Sequence, residues 1–99
     1  MRAIVIQPDH RSVEVVDIQD RADLVRLIGH PTLESDALGD AGDRLFFDEA
    51  CFLRGASGRF QIETLVPVAG TAVILGVDGD ALRDAASDVD DLRRRIRYL

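Results

Sequence analysis

The run TAVILGV, from Thr71 to Val77, constrains the fold of this chain more than any other stretch. It carries no charge, is rich in β-branched residues, and lies between Gly70 and the turn signal Asp78-Gly79. A short apolar run bounded in this way is typical of a strand that is covered on both faces. The sequence therefore predicts a buried central strand here, with the other elements placed to cover it.

Length and charge limit the kinds of protein this chain can be. Its 99 residues are close to the commonest domain size, so we expect residues 1–99 to form a single domain. The formal net charge of −6 at pH 7 opposes contact with a nucleic-acid backbone. All twelve basic residues are arginine, which indicates a GC-rich, bacterial coding sequence.

Cysteine usage and hydropathy favour a cytoplasmic protein. Cys51 is the only cysteine, so no internal disulfide can form, and this suits a reducing compartment. The apolar run at the start of the chain is too short for a signal peptide. The longest uncharged stretch, Leu65 to Val77, has thirteen residues, whereas a membrane helix needs about twenty. We therefore expect no membrane-spanning segment.

The local patterns predict more strands than helices. Ala3–Ile6 and Val13–Ile18 are β-rich runs separated by a polar turn, which indicates a hairpin. Ala50–Arg54 fits either a helical turn or an extended segment. Further strand candidates are Thr32–Leu38, Arg44–Phe47 and Phe60–Leu65. Together the patterns predict an α+β fold, a small, mainly antiparallel or mixed sheet with two helices packed on one face.

The clearest helix spans Asp20 to Gly29. Asp20 can accept a hydrogen bond from the first turn, and Gly29 suits the left-handed residue that ends a helix. Leu24, Leu27 and Ile28 share one face of this helix. Because a helix of about three turns is not stable alone, that face should pack on the sheet.

A second helix is predicted near the C-terminus. Ser87 or Asp88 can cap its start, and the charge order along it suits the helix dipole. Val89, Leu92 and Ile96 recur at helical spacing and form its apolar stripe.

Asp48, Glu49 and Cys51 form the first candidate ligand-binding set. Two carboxylates beside an apolar strand suit acid–base chemistry or a divalent cation. Adjacent residues of a strand point to opposite faces, however, so a solvated strand end is the simpler interpretation. A nucleophilic cysteine needs a base, and His10 and His30 lie in separate turns, which favours a buried structural Cys51.

The second candidate set is a group of arginines that suits contact with phosphate or with a partner protein. It consists of Arg93, Arg94, Arg95 and Arg97. Six acidic residues between Asp78 and Asp91 precede it, so local neutralisation or a solvated helix end are the alternatives.

Known metal and cofactor motifs are absent from the sequence. No CxxC, HExxH or EF-hand spacing occurs. The segment Gly55-Ala56-Ser57-Gly58 lacks the Gly-Lys-Ser/Thr ending of a phosphate-binding loop. We therefore expect no metal and no cofactor.

The order of elements resembles a family of small uncharacterised domains found in phage, plasmid and actinobacterial genomes. The matching features are an opening strand that ends near proline, a helix that ends in glycine, an acidic pair and a late strand ending in glycine. In this chain the order is Ile4–Pro8, a second strand Val13–Ile18, then Leu24–Gly29, Asp48-Glu49 and Ile74-Leu75-Gly76. The resemblance implies an accessory protein of a mobile element or of its host.

These observations favour a small cytosolic accessory protein that contacts another protein or forms a homodimer through an open sheet edge. One alternative is a small-ligand binder or enzyme that uses Asp48, Glu49 or Cys51. The other is weak nucleic-acid contact through the range Arg93–Arg97, which the net charge disfavours.

Overall fold

The computed structural model describes residues 1–99 as nine strands, two α-helices and a short 3-10 helix. The strands are β1 (Arg2–Gln7), β2 (Ser12–Asp17), β3 (Leu33–Leu38), β4 (Asp43–Asp48), β5 (Arg59–Ile62), β6 (Val68–Ala69), β7 (Ala72–Asp78), β8 (Ala81–Arg83) and β9 (Ile96–Tyr98). The helices are α1 (Arg21–Ile28), α2 (Val89–Arg95) and the 3-10 helix Cys51–Leu53. The predicted α+β class is confirmed.

The predicted central strand is β7, in the middle of the main sheet. The strand order is β2-β1-β7-β4-β3, and β8 pairs with the end of β7. Every pairing is antiparallel, including the predicted β1–β2 hairpin. Ile74 lies opposite both Ile4 of β1 and Leu45 of β4, so strands cover β7 on both edges. A smaller antiparallel sheet has the order β6-β5-β9.

Side chains of β7 alternate between two cores, as the pleat of a strand requires. Ile74 packs with Ile4 and Leu45 in the larger core, which the small sheet covers. Val73 and Leu75 point the other way, into the smaller core. Because Val73, Ile74 and Leu75 are all fully buried, the prediction of a strand covered on both faces is confirmed.

Helix α1 covers the smaller core. The Asp20 carboxylate accepts a hydrogen bond from the Asp23 N–H at 3.0 Å, which caps the helix. At the other end Gly29 has φ of 90°, a left-handed conformation that glycine adopts without strain. Leu24 and Ile28 are buried in the smaller core, so the predicted apolar face packs on the sheet.

Helix α2 lies against the opposite face, so the expectation that both helices pack on one face is not confirmed. Leu92 of α2 is fully buried in the larger core, whereas Leu24 of α1 belongs to the smaller one. The physical reason is that β7 buries both of its faces. Each face needs its own cover, and one helix contributes to each.

The second helix is shorter than the sequence pattern indicates. It ends at Arg95, and Ile96–Tyr98 forms strand β9, which pairs with β5. Ile96 lies opposite Ile62 and is buried in the larger core. The prediction that Ile96 belongs to the helix was therefore wrong. The expected burial of its side chain is confirmed. Tertiary pairing with β5 replaces the last helical turn.

A buried carboxylate, Asp43, connects the main sheet to the segment before α2. It lies at the start of β4 with only 2% of its surface exposed. Its oxygens accept hydrogen bonds from the Ala86 N–H at 2.9 Å and from the Ser87 N–H at 2.8 Å. The Ser87 hydroxyl donates a third, at 2.5 Å. These bonds fix the segment that leads into the Asp88 cap of α2.

Neither helix has both the length and the apolar content needed to cross a lipid bilayer.

Candidate functional site

Asp48 is a buried, hydrogen-bonded carboxylate among the predicted site residues. It ends β4 with 3% of its surface exposed. Its carboxylate accepts hydrogen bonds from Arg54 Nε at 2.8 Å and from the Ala50 N–H at 3.2 Å. The Thr32 hydroxyl donates to the same carboxylate, and Arg54 Nη2 donates to Thr32 Oγ1 at 3.2 Å. This network ties the loop after β4 to the start of β3.

The network determines the charge of Asp48. Burial by itself would raise the pKa of this carboxyl, because it disfavours the charged form. The hydrogen bonds from Arg54, Thr32 and Ala50 outweigh burial and lower the pKa from 3.8 to about 2. Asp48 in turn raises the pKa of Arg54. Both groups are therefore ionised at neutral pH, and Asp48 is unsuited to acid–base catalysis near neutrality.

Asp48 and Cys51 lie in the wall of a cavity of about 300 Å³, which we call the Arg54 cleft. Its apolar wall includes Ile28, Ala56 and Ala69. Cys51 is 5% exposed, and its sulfur accepts a hydrogen bond from the Ala69 N–H at 3.5 Å. This arrangement fits a structural cysteine. The polar wall consists of Asp9, His30, Arg54, Ser57, Gly58 and Thr71.

Gly58 is required by the close approach of two loops at this cleft. A Cβ atom built on Gly58 would lie 2.3 Å from the backbone nitrogen of Asp9 and 2.7 Å from the carbonyl carbon of Pro8. No side chain fits at that distance. The absence of a side chain therefore brings the Ser57–Gly58 segment against the β1–β2 turn.

Glu49 does not line the Arg54 cleft but lines a second cavity of about 290 Å³, which we call the Phe52 groove. Its rim contains acidic and apolar side chains, and its floor includes Phe47 and Cys51. The rim residues are Glu34, Asp36, Glu49, Phe52, Val66 and Pro67. Asp48 and Glu49 are therefore separated, as expected for adjacent residues at the end of a strand. No three His, Cys, Asp or Glu side chains are close enough together to hold a metal ion.

The first two arginines of the C-terminal set form ion pairs with acidic residues of the same helix, α2. Arg93 Nη1 lies 3.1 Å from Asp90, and Arg94 Nη2 lies 3.7 Å from Asp91. Arg93 Nη2 also donates to the backbone carbonyl of Val13 at 2.7 Å. Arg93 is thus partly used in holding α2 to β2.

The other two arginines contact residues at the end of β5, and one of them also contacts its own helix. Arg95 pairs with Glu63 and, at 3.2 Å, with Asp91. The hydrogen bond to Glu63 raises the pKa of Arg95. Arg97, on β9, donates to Gln61 Oε1 at 2.7 Å. The set is divided between α2 and β9 and is partly neutralised within the chain.

Several residues that shape these cavities were not among the predicted site residues. Arg54 and Phe52 were assigned only to an unclassified segment, and His30 only to a turn. The one sequence signal that could have indicated Arg54 is its spacing from Asp48, which suits a turn closed by an ion pair. The contribution of Asp9 depends on contacts distant in sequence, and no local pattern indicates it.

Comparison of the chain with protein-family models, with curated proteins and with solved structures finds no match.

Proposed function

We propose that the protein is an interaction protein that binds a second protein at the Phe52 groove. The observation that carries this proposal is the exposure of Phe52, which has 49% of its surface in solvent. Val66, on the same rim, is 41% exposed, and the neighbouring Leu53 is 86% exposed. Exposed aromatic and aliphatic side chains grouped at a depression are typical anchors for a protein partner.

The charge of the rim selects the chemistry of the partner. Glu34, Asp36 and Glu49 supply three carboxylates, and no basic residue lines the groove. Arg59, which does not line the groove, lies over one face of the Phe52 ring, with its guanidinium carbon 5.3 Å from the ring centroid. A segment that carries arginine or lysine beside apolar side chains would complement both the carboxylates and the exposed ring.

Two other occupants are less favourable. A nucleic acid would bring phosphates toward three carboxylates on a chain of net charge −6. A second copy of the chain would bring its own net charge of −6 and a second set of the same rim carboxylates toward the groove. We therefore place a different, basic protein in the groove.

We further propose that this interaction takes place in the cytoplasm, in an accessory protein of a mobile element or of its host. The single cysteine supports a reducing compartment. The order of elements, from the strand ending near Pro8 to the strand ending at Gly76, supports the link to phage, plasmid and actinobacterial genomes.

Selection of random peptides displayed on phage tests this proposal. We expect the enriched peptides to combine arginine or lysine with apolar residues. Phe52→Ser should weaken their binding, measured by fluorescence anisotropy, by about tenfold or more. Val15→Ser is the matched control, since Val15 is also 49% exposed but lies on β2, and it should leave binding unchanged.

Three results would overturn the proposal. One is that no peptide is enriched, or that the enriched peptides lack basic residues. Another is that the Phe52→Ser protein binds the peptides as well as the Val15→Ser protein does. The third is a dimer in sedimentation that Phe52→Ser dissociates, because the groove would then be occupied by a second copy.

A further inference from the structure

We propose that the Arg54 cleft binds a small zwitterion, with the ligand carboxylate at Arg54 and its ammonium at Asp9. This proposal concerns a different cavity and does not depend on the protein partner of the Phe52 groove. The ligand class is a free amino acid or a short peptide, since both carry the two charges. The argument rests on the two opposite charges that line the cleft, on its size and on its apolar wall.

The positive side of the cleft is held in place by the buried network. Arg54 donates through Nε to Asp48 and through Nη2 to Thr32, so its guanidinium is fixed while Nη1 is left available. The Arg54 side chain is 38% exposed, whereas that of Asp48 is 4% exposed. Both side chains line the cleft, but a ligand therefore meets much more of the guanidinium than of the Asp48 carboxylate. Planar guanidinium groups suit carboxylates because they can donate two parallel hydrogen bonds.

The negative side is formed by the β1–β2 turn. The Asp9 side chain is 47% exposed, and Nε2 of His10, whose side chain is 70% exposed, lies 3.6 Å from its carboxylate. An ammonium group can approach this carboxylate, because the pairing with His10 is long and open to solvent. The close packing of Gly58 on Asp9 fixes the turn relative to the opposite wall.

The remaining lining suits the body of a small ligand. The hydroxyls of Ser57 and Thr71 and the imidazole of His30 line the same cavity and can donate or accept hydrogen bonds. Ile28 and Ala56 offer apolar surface to a short side chain. A cavity of about 300 Å³ lies at the small end of the range for ligand sites, which fits an amino acid or a dipeptide.

Backbone-amide NMR titration with four compounds tests this inference. L-alanine and L-alanyl-L-alanine carry both charges, N-acetyl-L-alanine carries only the carboxylate, and L-alaninamide carries only the ammonium. We expect at least one zwitterion to shift the amides of Ser57, Gly58 and Thr71, with the two single-charge compounds binding several-fold more weakly. The two zwitterions show which length of ligand the cleft accepts.

Removal of the Asp9 charge tests whether the ligand ammonium binds at this residue. Asp9→Asn should weaken the better zwitterion by roughly threefold, as expected for one exposed ion pair, and should leave N-acetyl-L-alanine unaffected. Asp80→Asn, in the exposed turn between β7 and β8, is the matched control and should change neither. A native-like spectrum of each variant shows that the fold is retained.

The inference would be overturned if neither zwitterion shifted the cleft amides. It would also be overturned if the single-charge compounds bound as tightly as the zwitterions. If Asp9→Asn and Asp80→Asn changed binding of the zwitterion equally, Asp9 would not be a ligand-binding residue, and the inference would again be overturned. None of these results bears on peptide binding at the Phe52 groove.

Discussion

Replacement of Asp48 by asparagine removes the one buried carboxylate whose pKa is strongly displaced. A carboxyl whose pKa falls from 3.8 to about 2 on folding contributes about 2 kcal/mol to the free energy of unfolding at neutral pH. Asparagine cannot carry the charge that Arg54 and Thr32 stabilise. We therefore expect Asp48→Asn to lower the free energy of unfolding by about 2 kcal/mol at pH 7.

The pH dependence has a definite sign. Because the pKa of Asp48 is lower in the folded than in the unfolded protein, its contribution is fully present above about pH 4. It is lost as the pH falls through about 2, where folded Asp48 takes up its proton. The difference in stability between the native protein and Asp48→Asn should therefore shrink across this window.

Urea unfolding of both proteins at a series of pH values, followed by circular dichroism, measures this difference. The other carboxylates titrate in both proteins, so the comparison isolates Asp48. Asp40→Asn, in the exposed turn after β3, is the control and should change stability by less than about 0.5 kcal/mol. A difference between native protein and Asp48→Asn that stays constant from about pH 5 to about pH 2 would refute the reasoning.

Two further substitutions test the core and its connection to α2. Ile74→Ala should lower the free energy of unfolding by about 2 to 5 kcal/mol, because Ile74 is fully buried. In urea unfolding Val15→Ala should cost far less, and equal losses would contradict the central position of β7. Asp43→Asn should cost about 1 to 3 kcal/mol, since it removes a carboxylate oxygen that accepts from Ser87. Hydrogen exchange should then accelerate at the amides of Ala86 and Ser87, and unchanged exchange there would contradict the assigned role of Asp43.

Local sequence patterns were sufficient to predict the structural elements that depend only on residues close together in the chain. The Asp20 cap and the Gly29 end of α1 follow from side-chain and backbone chemistry within a few positions. The β1–β2 hairpin follows from two β-rich runs and a polar turn. The burial of Ile74 follows from an uncharged run that has no polar face.

Other features depend on residues that are distant in sequence. Ile96 fits a helical stripe locally, yet it pairs with Ile62 in the small sheet, because β5 offers a partner strand. The positions of α1 and α2 on opposite faces depend on which core each helix covers. Local periodicity shows that a face is apolar, but it does not show which other face it meets.

The sequence by itself determined the class of the fold, the central buried strand and the separation of Asp48 from Glu49, because these depend on local periodicity and burial. Only the tertiary structure decided that Arg54 and Asp9 line one cleft and that Phe52 and Glu34 line one groove. These neighbours come from different loops and strands. Their approach is set by strand order and by contacts such as that of Gly58 with Asp9, which no stretch of the sequence contains on its own.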